Sequence, residues 1–204
     1  MKKGLTIGIV IAVVFIIIIA GYFVFFNKTP ANVNTGSNQT GSNALPSYKT
    51  TTKEPSELIL SISDLPEGYQ ITERTPRLKS DISSYGLNLG WNGGYLIRYT
   101  KEGDSFLTTG IIDLSNSKYP VENITKVLND LNLSEDENGW SGEMLPDPEI
   151  GDKSQAVRYT QKDTEFKNYQ IEFVKKDVYV NIGIRGMTDF ELLKELAKKV
   201  ASKI

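Results

Sequence analysis

Apart from one unbroken apolar run near its start, the chain is organised by two hydrophobic rhythms. The run covers residues 5–26, which carry no charge and follow Lys2 and Lys3. At about 1.5 Å per residue, a helix of that length crosses the roughly 30 Å of bilayer hydrocarbon, so the run predicts one transmembrane helix. Further on, Tyr95, Ile97 and Tyr99 alternate with other residues, as do Phe106, Thr108, Gly110 and Ile112. The same period recurs in Tyr169, Ile171 and Phe173, and again in Val178, Val180, Ile182 and Ile184. A period of two predicts strands, and the short polar links at 101–104 and 175–177 predict hairpins. Gly68 to Arg74 and Ala156 to Thr160 read as further strands.

Helical spacing takes over at the C-terminus, where Leu193, Leu196, Ala197, Val200 and Ile204 share one face. They predict a helix from about Asp189 to Ser202, opened by a Thr188/Glu191 capping box and closed by Lys198, Lys199 and Lys203. Val121, Ile124, Val127, Leu128 and Leu131 follow Pro120 with similar spacing and predict a second helix over 120–131. The expected fold class is therefore α+β: an N-terminal transmembrane helix, a flexible stalk, then an antiparallel sheet with two helices in two ββα-like halves. Its expected domains are 1–28, a signal-anchor; 29–55, an Asn/Thr/Gly/Ser linker; and 56–204, an extracytoplasmic domain.

The apolar run is longer than the about 7–15 residues of a cleaved signal centre, and it ends in bulky Tyr22 to Phe26 with no small-x-small site. It reads as an uncleaved anchor embedded in the lipid bilayer through residues 5–26. Lys2 and Lys3 lie before it and Lys28 close behind, which favours an N-terminus inside and the C-terminal domain outside. Gly4, Gly8 and Ala12 are four apart, the spacing that lets two membrane helices approach as a homodimer.

Composition narrows the chemistry. Lys2, Lys3 and Lys28 are three of the 23 basic residues, while all 25 acidic ones follow residue 28, so the exposed part carries a net −5. That balance argues against nucleic acid, whose phosphates select a basic face. With no Cys and no His, the chain lacks cysteine nucleophiles, Ser-His-Asp triads, the usual zinc ligands and disulfides. No catalytic residue, cofactor or metal is assigned, and the fold must be held by burial alone. Four Asn-x-Ser/Thr acceptors begin at Asn27, Asn38, Asn123 and Asn132.

The remaining candidates are local. Ser134 to Gly139 has oxygen donors at alternate positions, but the twelfth position of a calcium loop would fall on Leu145. Asp147, Glu149 and Asp152 would supply carboxylates to a metal-dependent hydrolase. Ser115 and Lys118 have Ser-x-x-Lys spacing without a helix to join them, and Lys153-Ser154 would point apart in a strand. The glycine-rich stretch 85–95 offers aromatic contact through Tyr85, Trp91 and Tyr95, suited to a small ligand, a glycan or an envelope protein. The reading these features favour is a non-enzymatic, membrane-tethered binding or accessory domain. A metal-dependent hydrolase and a small-ligand carrier or sensor are the alternatives.

Asp64-Leu65-Pro66-Glu67-Gly68-Tyr69, Gly94-Tyr95 and Ile150-Gly151-Asp152-Lys153-Ser154 occur in that order, ahead of strand 169–175 and the last helix. In these the chain resembles an uncharacterised family of prokaryotic membrane-anchored envelope proteins with DLPxGY and GDxS motifs. The resemblance spans about residues 58–204. For some members it implies a PsbP-like α/β/α sandwich used in docking and accessory roles, and it implies no catalytic residues. Lys3-Gly4-Leu5-Thr6 is also similar to a type IV pilin processing site, but Ile9 stands where pilins carry Glu.

Overall fold

A computed structural model describes residues 50–204 except 104–109, 129–132, 135, 137, 165, 187 and 188. Two compact units divide the chain; the described residues fall in one of them, apart from Ser83–Tyr85, which belong to the other. Seven strands form one antiparallel sheet: β1 (Gln70–Pro76), β2 (Gly94–Lys101), β3 (Gly110–Lys118), β4 (Trp140–Leu145), β5 (Lys153–Gln161), β6 (Lys167–Lys175) and β7 (Val178–Arg185). Their order is β1-β2-β3-β7-β6-β5-β4, so β3 and β7 join the two halves at the centre. Two α-helices are described, the short α1 (Ser84–Asn88) and the terminal α2 (Phe190–Lys203).

This corrects the expected fold. The two-helix, two-halves arrangement does not form: the described chain is mostly one seven-stranded sheet with a single long helix at its end. Over 120–131 the described residues make only a 3-10 turn, Ile124–Lys126. Val121, Ile124, Thr125 and Val127 are β-branched and lose side-chain freedom in a helix. Asn123, beside them, spends its side-chain amide on the Leu89 carbonyl at 3.1 Å. No described helix is long and apolar enough to cross a membrane. The expected span over 5–26, with Gly4, Gly8 and Ala12, lies outside the described residues, as do Thr188, Asn27, Asn38 and Asn132.

The sheet has one apolar face because the strand period puts alternate residues there. Ile112, Leu114, Val180, Ile182, Ile184, Ile171 and Phe173 are all fully buried. Helix α2 packs on β6 and β7 through Leu193, Leu196, Ala197 and Val200, each with no exposed surface. Burying a Leu or Val side chain contributes about 1.5–3 kcal/mol, so this stripe is the main attachment of the helix. The β2–β3 half is closed differently. The 3-10 turn Pro55–Glu57 sits against β2 and β3, and Leu58 and Leu60 are buried beside it. Asn116 donates to the Pro55 and Leu58 carbonyls at 2.8 and 3.2 Å, and the Tyr99 hydroxyl donates to Leu60.

Lysines terminate α2. Asp189 accepts the Leu192 amide at its start. At its end Lys175 donates to the Ala201 carbonyl at 2.6 Å, Lys176 to Ile204 and Lys53 to Lys203. These ammonium groups meet the carbonyls and the negative end of the dipole that a C-terminus leaves unsatisfied.

The Asp64 turn adds a clamp. Its carboxylate accepts the Ser61 amide and hydroxyl, both at 2.8 Å, and Lys203 at 2.9 Å, while Lys199 reaches the Asp64 carbonyl. The bond from Lys203 is the largest of the effects that lower the Asp64 carboxyl from 3.8 to about 2. A depressed folded pKa stabilises above 3.8 and loses that effect as pH falls toward 2. The displacement is equivalent to roughly 2.5 kcal/mol, and solvent screening of a side chain 24% exposed reduces it to about 1 kcal/mol. Asp64→Asn should therefore lower stability by about 1 kcal/mol at neutral pH, with the difference closing as pH falls from about 4 to 2. Denaturant titrations of both proteins across that range check it; identical midpoints at neutral pH would show an inert clamp.

Candidate functional site

The face of the sheet away from α2 carries polar residues in ordered rows, with the fully buried Val157 and Val174 among them on β5 and β6. Register places Glu73, Arg98, Asp113, Gly183, Gln170 and Val157 opposite one another across six strands. The neighbouring row runs Ser115, Asn181, Glu172 and Gln155. Residues two apart on a strand share a face, so both rows lie on the same side.

Charges in the first row are paired across strands. Arg98 bonds Glu73 at 3.2 Å and Asp113 at 2.6 Å, and Arg185 takes the other oxygen of Asp113. In the second row Glu172 is only 6% exposed. One of its oxygens accepts Gln155 at 2.7 Å; the other accepts Gln170 at 2.9 Å, Tyr179 at 2.9 Å and Asn181 at 3.2 Å. Burial pushes the Glu172 carboxyl up, and the bonds from Gln155, Tyr179 and Gln170 oppose the rise. Burial, and then the Glu172 charge, push the Tyr159 phenol up to about 12; Tyr179 is raised well above its ordinary value by the same causes. A buried carboxylate costs several kcal/mol unless its lone pairs are met, and here uncharged donors on three strands meet them. With both oxygens occupied, Glu172 is a fixed anchor of the face.

The pleat and the loop separate the aromatic residues singled out in the sequence. Trp91 is half-buried, and its indole N–H donates to Ser117 at 3.1 Å, a hydroxyl that Arg77 also bonds. Its loop is stitched to β3 by the Asn92 amide on the Lys118 carbonyl and the Lys118 amide on Gly93. Tyr95 pairs with Asn116, whose side chain faces α2, so Tyr95 lies on the opposite face from Ser117. Arg74 donates to its hydroxyl at 3.3 Å and sits 5.9 Å over its ring. Tyr85 lies in α1. Trp91 and Tyr95 therefore do not share a surface.

The acidic candidates serve turns. Asp147 accepts the Glu149 amide and the Ser154 hydroxyl, and Asp152 accepts the Lys176 amide at 2.8 Å. Gly151, at φ +73°, is required there, because a Cβ would run into the Val174 carbonyl. Asp136 likewise caps its own turn through the Asn138 and Trp140 amides. Among the described residues, no group of three or more acidic side chains is placed to hold a metal. Ser115 and Lys118 are on one strand with opposite parity, so their side chains diverge. The Glu172 cluster was missed because Gln155, Gln170 and Asn181 look like ordinary solvent-facing strand positions. The available signal was Gly183, a glycine inside a strand whose alternate residues Val178, Val180, Ile182 and Ile184 are β-branched.

No family model matches the chain, and no curated protein does. Among solved structures it is similar to the extracellular domain of PknH from Mycobacterium tuberculosis, with a TM-score of 0.60 at 13% identity. The match covers 76% of this chain and 97% of that one, and at this identity it shows a shared fold. An uncharacterised Mycobacterium smegmatis protein, the Rv0999 ortholog, matches at TM-score 0.42 and 12% identity over 70% of this chain and 92% of that one.

The Glu172 environment sets a pH dependence opposite to that of Asp64. Its folded pKa is raised from 4.5, so the folded chain holds its proton where the unfolded chain has lost it. Stability contributed at this position therefore falls as pH rises through and above 4.5. Glu172→Gln, whatever its stability in acid, should gain on the wild type between about pH 4 and 7. Thermal melting of both proteins over that range tests it; parallel profiles would count against a buried, titrating Glu172.

Proposed function

We propose that this chain is a non-enzymatic binding domain that works outside the cytoplasmic membrane, tethered through the apolar residues 5–26, and that the polar sheet face is the surface it uses. One observation carries the reading. Glu73, Arg98, Asp113 and Arg185 form a paired chain across four strands, beside a carboxylate held by four neutral donors. The ion pairs are partly exposed and contribute little to stability, while the buried Glu172 carboxylate is one that a well-packed apolar residue could replace at no cost, so stability is a poor reason to keep this set. A fixed array of donors and acceptors is what recognition needs, since pre-organised groups lose little freedom on binding.

The location is supported by the apolar run behind Lys2 and Lys3 and by the fold shared with a domain described as extracellular. The absence of an enzymatic role is argued from the commitments of the candidate groups. Asp147, Asp152 and Ser154 are engaged in a turn, and Ser115 and Lys118 diverge along β3.

Epitopes placed before Met1 and after Ile204 of the full chain test the placement. In intact cells of the native host with any outer layer made permeable, added protease should remove the C-terminal epitope and spare the N-terminal one until lysis. A C-terminal epitope that survives until lysis would overturn the location.

A further inference from the structure

In the row that runs from Glu73 to Val157, Gly183 is the one position with no side chain. It lies on β7 at the middle of the sheet, between Asp113 on β3 and Gln170 on β6. Solvent still reaches it, although residues on either side of it in the strand, Ile182 and Ile184, are fully buried.

Nothing in the backbone requires glycine there. Gly183 is not among the positive-φ residues, and a Cβ would make only an ordinary contact, 3.4 Å from the Tyr169 carbonyl. Glycine in a strand interior weakens the strand, and one common reason for it is close approach of a ligand. Leaving out that side chain opens a space about two strand spacings wide, roughly 10 Å from the Gln170 strand to the Asp113 strand.

The rim is polar and closely balanced in charge. Asp113 lies between Arg98 and Arg185, and Arg98 also holds Glu73, two anions against two cations. Asn181 and Glu172 are fixed on one side through their mutual hydrogen bond. On the other side stands Asn168, opposite Arg185, whose Oδ1 is buried without a hydrogen-bond partner among the described residues. A buried acceptor left open is costly and is met when a ligand brings a donor.

We propose that the Gly183 depression binds one ring of a neutral saccharide, its hydroxyls engaging the amide, carboxylate and guanidinium groups of the rim. A free anion would compete with Asp113 for its two arginines, and a cation would compete with the arginines for Asp113. A ring of hydroxyls, each both donor and acceptor, displaces neither pair and supplies the donor that Asn168 lacks. The same ring chemistry would serve a free sugar or one unit of an envelope polysaccharide. This inference rests on the reading of the polar face as a binding surface.

The test uses the full chain in a detergent without a sugar headgroup. Probes are the methyl glycosides of glucose, galactose, mannose and N-acetylglucosamine, the cell-envelope polysaccharide of the native host, and inorganic phosphate. Saturation-transfer NMR and calorimetry should detect at least one neutral glycoside, which points to a free sugar, or the polysaccharide alone, which points to the polymer. Gly183→Val should weaken that binding more than tenfold while the melting temperature is unchanged or higher, because valine fills the space and favours a strand. If that variant does not fold, Ser115→Val on the rim decides by the same loss. Binding of no saccharide, binding that survives the substitution, or displacement of the saccharide by phosphate would overturn the proposal. The epitope experiment reads location independently, so an exposed domain that binds no saccharide removes this inference and leaves the tethered binding domain standing.

Discussion

The lysine cap at the end of α2 is the contact on which the arrangement of the two faces depends. A chain without cysteine has no covalent cross-link, so its sheet must be covered by something that stays in place. Helix α2 supplies four fully buried side chains, and its last carbonyls receive ammonium groups from the β6–β7 turn and from Lys53. Asp64 extends the same cluster by taking Lys203 and Lys199. The segment before β1 and the end of α2 are thus bound to the same place, and together they cover the apolar face.

Because that face carries the core, the other is free to be polar. The opposite side mixes partly exposed charges on β1 to β3 with the buried Val157, Val174 and Glu172 on β5 and β6. Its polar residues are matched across strands, and one carboxylate is buried among them. Antiparallel register makes such matching economical. Arg98 and Asp113 lie directly opposite, as do Gln155, Glu172 and Asn181, so short side chains reach without strain. A one-residue slip would turn every member to the α2 side, so the network and the core depend on the same register.

Elements defined by local periodicity were legible in the sequence. Val178, Val180, Ile182 and Ile184 alternate as a strand must, and Leu193, Leu196, Ala197 and Val200 recur as a helix must. The helix expected over 120–131 had the right spacing but β-branched residues and an asparagine that bonds elsewhere, and spacing alone did not outweigh them. What closes the β2–β3 half, the segment with Leu58 and Leu60, has no periodicity to reveal it. The polar site was illegible for a different reason. Gln155, Glu172 and Asn181 are far apart in sequence or separated by a hairpin, and only pairing brings them into one row. Trp91 and Tyr95, close in sequence, end on opposite faces for the same reason, because strand parity and loop geometry outrank proximity.

Positions that break a local rule without a structural need separate two kinds of glycine here. Gly151 has a left-handed backbone and a carbonyl against the place of its missing Cβ, so folding alone accounts for it. Gly183 has neither, stands in the central strand of the sheet, and shares a row with paired charges. Natural sequences are locally consistent except where function intervenes, and a strand that gives up a side chain at its centre gives up stability. Glu172 has the same character on the same face, a carboxylate kept where an apolar residue would pack at lower cost. Two such departures lie diagonally adjacent in adjoining rows, whereas on the core face the buried Asn116 closes the Pro55 turn and the buried Ser154 closes the Asp147 turn. Packing explains the apolar side of this sheet, and Gly183 and Glu172 are the two positions on the other side that packing leaves unexplained.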